Sequence, residues 1–296
     1  MRLSIHHRTS YEFSAPVARG LQRLRLTPKS TQGQTIADWQ MDYAGVRLEA
    51  EYDDQHHNCT QLASVEPGTR HVTITCTGTV DTSDQAGIIG SHTGHMPLWS
   101  FLEQSRLTRP GARMRALINR LGGEGAAAAA SGGAGSGRLD MLHELSSSIR
   151  ADVAYRTGET LATTPAEDAM AAAVGVCQDH AHIFLGCARA LGIPSRYVSG
   201  YLMMDDRIDQ DAGHAWAEAH VDGLGWVGFD ISNGISPDSR YVRVATGRDY
   251  GEAAPITGIS FGAHETLLTV HLAVEQQAVE KPAIETQAIG RQTGDQ

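Results

Sequence analysis

Apolar and polar positions follow two different rhythms along the chain. Up to about residue 90 the apolar side chains recur at every second position. The alternation is weak in "MRLSIHHRTSYEFSAPV", better in "LQRLRLTP" and clear in "HVTITCTGTVDT", which is rich in Val and Thr. Such alternation marks half-buried strands, and the turn signals between them predict an antiparallel sheet or sandwich. Cys76 falls inside the third strand and reads as a small packing residue. From residue 97 to 121 the spacing becomes helical, with a break at Arg109-Pro110-Gly111. Residues 122–140, "GGEGAAAAASGGAGSGRLD", are low in complexity, and the glycines around the alanine run predict a loop or linker.

Helical spacing returns in "MLHELSSSIRADV", in "PAEDAMAAA" and in a segment that opens at Cys177 and stops at Gly192-Ile193-Pro194. Strands follow in "SRYVSGYLMM", "HAWAEAHV" and "GWVGFDI", with a last one in "ETLLTVHLAVE". Beyond about Gln276 the chain is polar and aperiodic, which predicts a poorly ordered tail.

The segment "GVCQDHAHIF" places a cysteine in the first turn of a helix. Unpaired N–H groups and the positive end of the helix dipole favour an anion there, and a thiolate is one. At ~100° per residue, Phe184, Cys187 and Leu191 share a broad face with Cys177, so the sulfur sits where a buried stripe meets a cleft. Cys187, deep in the stripe, reads as core. Three readings of Cys177 compete. It is a buried thiol, or a metal ligand paired with His180 one turn on, or a nucleophile that needs a base and an orienting group from elsewhere. Gly175 reads as a tight-turn residue and Asp179 as a first-turn acid suited to the dipole. His182 reads as a surface or packing residue.

The segment "GHAWAEAHVDGLGWVGFD" splits by parity. Ala215, Ala217, Ala219, Val221, Val227, Phe229 and Ile231 form an apolar set, expected to pack on the helices. His214, Trp216, Glu218, His220, Trp226, Gly228 and Asp230 form the other, expected to face a cleft or solvent, with Glu218 and His220 solvated. A turn at Asp222-Gly223 makes this a hairpin, and an odd loop such as Val221 to Gly225 puts His214 and Asp230 on one face. A carboxylate beside an imidazole can hold one ring nitrogen protonated and aim the other at a thiol. His180 is the rival base, but helix geometry turns it away from Cys177.

Composition narrows the class. The chain has 296 residues, 41% hydrophobic and 20% charged, with a formal net charge of -10. That is ordinary for a globular protein and argues against a nucleic-acid binder. No apolar run approaches the ~18 residues of a membrane span, and the N-terminus lacks the apolar core of a secretory signal. The four cysteines, without C-x-x-C spacing, suggest neither a disulfide framework nor structural zinc, so a reduced, cytoplasmic protein is expected. No EF-hand calcium spacing is present, and no cofactor is expected.

The segments "GVCQDHAHIFLGCARALGIPSRYVSGYL" and "GHAWAEAHVDGLGWVGFD", and more weakly "YEFSAPV" with "LQRLRLTP", resemble the bacterial transglutaminase-like superfamily, papain-like cysteine enzymes grouped with cysteine proteases. The resemblance implies Cys177 as nucleophile, His214 as general base and acid, and Asp230 as the residue that orients it. It also implies an α+β fold: a β-rich N-terminal domain, then a core with the cysteine on a helix packed against an antiparallel sheet. The expected division is 1–95 for the β-rich domain, 96–140 for a helical connection and linker, 141–275 for the core and 276–296 for the tail. Many members carry an aromatic where His180 stands, which implies a more polar pocket here.

The expected reaction is acyl transfer from a peptide or side-chain amide through a thioester. Hydrolysis is favoured because water is always present. Transfer to an amine, or a non-catalytic binding module of the same fold, are the alternatives. The backbone N–H of Cys177 is one candidate oxyanion donor. Tyr155 and Trp216 are candidates for the second, though both read more simply as packing aromatics.

Overall fold

The computed structural model describes residues 1–129, 136–262 and 266–277. Its N-terminal strands are β1 (Arg2–Phe13), β2 (Arg19–Thr27), β3 (Gln34–Ala44), β4 (Val46–Asp53), β5 (Cys59–Val65), β6 (His71–Thr82) and β7 (Ile88–Gly90). Then come α1 (Ala112–Ala129), α2 (Ser136–Asp152), β8 (Ala154–Tyr155), α3 (Ala166–Ala172), β9 (Val174–Gly175) and α4 (Cys177–Ala190). The chain continues through β10 (Ser195–Leu202), β11 (Asp209–Gln210), β12 (His214–Val221), β13 (Gly225–Phe229), β14 (Tyr241–Gly247), α5 (Tyr250–Ala253), β15 (Ile256–Phe261) and β16 (Thr266–Gln276). The fold is α+β. Among the described residues no helix is long and apolar enough to cross a membrane.

The alternation near the N-terminus builds two antiparallel sheets, ordered β11-β16-β1-β6-β3 and β15-β2-β5-β4. Their inward residues, including Phe13, Leu24, Leu26, Val65, Val72, Ile74 and Cys76, close into one core. β15 and β16 lie inside the span expected for the C-terminal core, yet they pair with β2 and β1 and so complete the N-terminal sheets. Alternation in the sequence reports that a strand exists, not which sheet accepts it. The polar segment beyond residue 277 lies outside the described residues.

Two helical expectations differ from the structure. Of residues 97–108, only Leu98–Leu102 form a 3-10 turn. The low-complexity stretch, expected as a loop, continues α1 as far as Ala129, and α2 begins at Ser136; residues 130–135 lie outside the described residues. Alanine's helix propensity offsets a cost of ~1 kcal/mol per glycine once the helix is anchored. The anchors are a buried stripe of Met114, Leu117 and Leu121, and the Glu167 carboxylate. Glu167 accepts hydrogen bonds from the backbone N–H groups of Gly111, Arg113 and Met114 at 2.9, 2.7 and 3.1 Å.

The third sheet, ordered β14-β10-β12-β13-β7, carries the predicted hairpin. Val221 pairs with Gly225 and Ala217 with Phe229, so the loop is the odd one the sequence required. Gly225 has φ 79°, and a Cβ there would stand 2.1 Å from the Gly90 carbonyl oxygen. The apolar parity set packs on the helices as expected, sharing one core with Leu142, Leu145 and Ile149 of α2 and Ile183, Phe184 and Cys187 of α4.

The other parity set differs from expectation. Trp216, Glu218, Trp226 and Asp230 are buried, because the N-terminal domain covers this face too. β14 ends its sheet, and its outer edge is capped by side chains of that domain. Gln34 bonds the N–H and carbonyl of Arg243, both at 2.8 Å, and Asn58 bonds those of Thr246 at 2.9 and 2.7 Å. Glu218, expected in solvent, is held by Arg196 Nε at 2.6 Å and Arg243 Nε at 2.7 Å. Burial raises its pKa, but the two guanidinium charges outweigh that and keep it below the ordinary value. His220 is half-buried, its ring 5.5 Å from that of Trp226. Glu218→Gln would leave two buried arginines facing each other uncompensated, so a loss of about 3–5 kcal/mol is expected. Urea unfolding reads it; an unchanged midpoint would show that Glu218 does not hold this layer together.

Candidate active site

α4 projects Cys177 from its first turn into the junction between the two halves of the chain. Nearly the whole helix is buried, from Asp179 to Arg189, which fixes its end in space. The Asp179 carboxylate, itself fully buried, accepts from the Val176 N–H at 2.8 Å and the Thr160 hydroxyl at 2.6 Å. This satisfies an orphan donor of the helix start. Gly175 serves close approach rather than a turn: a Cβ there would meet Asp179 Cβ at 2.7 Å.

The hairpin brings His214, at the start of β12, alongside Asp230, just past β13. His214 Nε2 lies 2.6 Å from Asp230 Oδ2. The carboxylate is engaged by residues the sequence reading did not identify. Tyr241 donates its hydroxyl to Oδ2 at 2.7 Å, Asn233 donates Nδ2 to Oδ2 at 2.7 Å, and the Asn233 N–H reaches Oδ1 at 3.1 Å. Asn233, three residues beyond Asp230, was open to being read as part of an Asx turn. Tyr241 comes from a strand that shows no local sign of it.

With Nε2 on Asp230, the other imidazole nitrogen is left for the Cys177 sulfur. His214 and Asp230 are thus in contact, and Cys177 shares a cavity with His214. Burial disfavours the His214 cation, but the hydrogen bond to Asp230 and the nearby Cys177 outweigh it and raise the imidazole to about 10. Burial likewise opposes ionisation of Asp230, and the bonds from His214, Tyr241 and Asn233 nevertheless hold it below its ordinary value.

Protonation of His214 therefore favours the folded state. That contribution is fully present below the ordinary 6.5 and lost as pH rises toward about 10. The Asp230 contribution is present above its ordinary 3.8 and lost as pH falls further, through its lower folded value. The stability gap between wild type and His214→Gln should be widest between 3.8 and 6.5 and close toward about 10. Urea titrations across pH measure it, and a gap independent of pH would contradict the coupling.

The sulfur opens into a cavity of ≈ 230 Å³ between the domains. Its walls include Tyr197, Tyr201 and Tyr250, with Arg25 and Leu26 arriving from β2. Of the two aromatic candidates for an oxyanion donor, Trp216 is a packing residue, buried with its ring 5.4 Å from that of Tyr241. Tyr155 differs from the packing expectation. It is 53% exposed and lies close enough to Cys177 to feel its charge. Desolvation and the nearby Cys177 and Asp230 raise its phenol to about 12, so it remains a donor.

The other histidines of α4 are occupied elsewhere. His180 is buried outside the catalytic cavity, with Nδ1 2.9 Å from Ser232 Oγ and Nε2 3.1 Å from the Val153 carbonyl. It therefore neither polarises the pocket, as the resemblance implied, nor faces Cys177 as a base or fellow metal ligand. His182 is a packing residue rather than a surface one, fully buried, and its Nε2 accepts from the Tyr250 N–H at 3.1 Å. Among the described residues no group of three or more His, Cys, Asp or Glu side chains is placed to hold a metal ion.

Residues 126–231 match the family described as the transglutaminase-like superfamily, and residues 3–81 match the bacterial transglutaminase-like N-terminal region. An uncharacterized protein of Mycobacterium tuberculosis is 31% identical over 278 residues, covering 88% of this chain and 88% of that one. One of Mycobacterium leprae is 26% identical over 296 residues, covering 94% and 99%. Among solved structures, the "Putative Cysteine Protease from Cytophaga hutchinsonii" superposes with a TM-score of 0.71 at 23% identity, covering 93% of this chain and 90% of that one. That likeness is one of fold.

Proposed function

Because this chain belongs to the transglutaminase-like superfamily, we propose that it is a thiol-dependent acyl-transfer enzyme acting on peptide or side-chain amides, with Cys177, His214 and Asp230 as its triad. The observation that carries the reading is the 2.6 Å contact from His214 to Asp230, with His214 and Cys177 lining one cavity.

In the first half-reaction the Cys177 thiolate attacks the amide carbonyl carbon, and the carbonyl π electrons move onto oxygen. The Cys177 N–H and the Tyr155 hydroxyl stabilise that oxyanion. The imidazolium of His214 protonates the departing nitrogen, and ammonia or an amine leaves a thioester behind. In the second half His214 takes a proton from water, whose oxygen attacks the thioester, and a carboxylic acid and the thiolate result. Asp230 holds the imidazole in one tautomer and stabilises its charge. Excluding water takes extra structure, so hydrolysis is the outcome this reading favours over amine transfer. The four free cysteines suit a reducing compartment, and the cytoplasm is the proposed location.

Incubation with a glutamine-containing peptide, with and without a primary amine, tests the reading by mass spectrometry. Fragments or a one-dalton-scale gain indicate hydrolysis, and amine addition with loss of ammonia indicates transfer. No change across peptide libraries would instead point to a binding module of the same fold.

A further inference from the structure

On the side of the β10–β12–β14 sheet away from Cys177 lies a second cavity, of ≈ 510 Å³. That falls within the ~300–1,000 Å³ of ordinary ligand sites. It shares no lining residue with the catalytic cavity. Along β10, Tyr197 and Ser199 line the catalytic side, while Arg196 lines this one. Its wall carries Lys29, Arg196 and Arg243 and no carboxylate, in a chain of net charge -10.

The carboxylates near this wall are already engaged. Glu218 lies beneath, shared by Arg196 and Arg243. Asp54 holds Arg25 and the backbone of His56 and Asn58. Glu252 holds His56 and Arg248.

Several donors, by contrast, have no protein partner among the described residues. Arg196 gives Glu218 only its Nε, at 2.6 Å, and its guanidinium carbon rests 3.9 Å from the centre of the Trp226 ring. Its two terminal nitrogens are free. Arg243 is only 8% exposed and uses Nε and Nη2 on Glu218, which leaves Nη1. The Lys29 ammonium is held by the His56 and His57 carbonyls at 2.8 and 2.5 Å, with its third N–H unmatched. His57 Nε2 is buried with no partner. Glu218 alone pairs with both Arg196 and Arg243, and the Lys29 ammonium is bonded to carbonyls rather than to a carboxylate, so the cluster is short of directly paired negative charge.

We propose that this cavity is a binding site for a doubly charged oxyanion, such as a phosphoryl group or a dicarboxylate, distinct from the catalytic pocket. The guanidinium donors of Arg196 and Arg243 form the fork that suits such oxygens, and Lys29 adds a point charge. Lys29 also reports occupancy. Burial first, then the facing Arg243 and Arg196, lower its ammonium to about 7; Asp54 and Glu218 oppose this without reversing it. An anion in the cavity adds the missing opposite charge, so by linkage Lys29 must become harder to deprotonate.

The chain has two lysines, Lys29 and Lys281, so selective 15N labelling of the full-length protein gives two side-chain signals, assigned with Lys281→Arg. Sulfate is the probe, because it stays a dianion across the titration, with chloride at matched ionic strength as the control. In chloride, Lys29 should titrate near 7; saturating sulfate should raise that by about one unit, equivalent to about tenfold tighter binding to the protonated form. Calorimetry should find one saturable sulfate site, weakened at least about tenfold by Lys29→Met and unaffected by alkylating Cys177. Adding dicarboxylate or phosphate then separates the two sources. A Lys29 titration identical in sulfate and chloride, or sulfate heats that do not saturate, would overturn the proposal.

Discussion

Cys177→Ala is expected to abolish amide turnover, with a loss on the order of 10⁴-fold or more. The sulfur forms and breaks the bonds of both half-reactions, and no other thiol can stand in. Cys76 and Cys187 are buried, and burial pushes both thiols up to about 12; Cys59 lies in the N-terminal sheets. Cys177 is only partly enclosed at its helix tip, so alanine should leave the fold intact. Cys187→Ala is the matching control. It removes a core side chain, so it should lower stability and spare turnover. Steady-state kinetics with a urea midpoint for each variant separates the two effects. Retention of a tenth or more of the activity by Cys177→Ala would remove the nucleophile from the account.

Asp230→Asn is expected to lower kcat by about 10²–10⁴-fold with a smaller change in KM. Asp230 Oδ2 receives hydrogen bonds from His214, Tyr241 and Asn233 at 2.6, 2.7 and 2.7 Å. An amide nitrogen there would meet several donors with a donor. An amide oxygen there would keep the bonds but lose the charge that holds His214 up to about 10. In either orientation the imidazolium is less stable, so the alkaline limb of the pH–rate profile should move toward neutral pH. Kinetics across pH read both effects. Activity within about threefold of wild type and an unmoved alkaline limb would mean that Asp230 supports structure only.

The sequence carried much of this site, and the reason is parity. Period-two spacing on both arms of the hairpin, with its odd loop, is enough to bring His214 and Asp230 to one face. The helix start at Cys177 is equally local, with Gly175 before it and Gly192-Ile193-Pro194 after it. What was not legible depends on contacts distant in the chain. Nothing near Glu218 signals that the N-terminal domain covers it and supplies Gln34 and Asn58 to the sheet edge. Tyr241 reaches Asp230 from a separate strand. The alanine and glycine run misled because propensity was weighed without its anchors, Glu167 and the Met114, Leu117 and Leu121 stripe. β16 alternates clearly, but its spacing does not say that it pairs with β1. β15, which pairs with β2, gives no strand signal, because its apolar residues Ile256, Ile259 and Phe261 break parity.

The alkylation rate of Cys177 by iodoacetamide at near-neutral pH, in wild type and His214→Ala, probes the chemical core of the account with no substrate required. Site-resolved mass spectrometry should find Cys177 modified at least about a hundredfold faster than Cys59 in wild type, and that advantage lost in the variant. Equal, slow labelling of both cysteines, or an unchanged Cys177 rate without His214, would contradict a sulfur activated by its neighbouring imidazole.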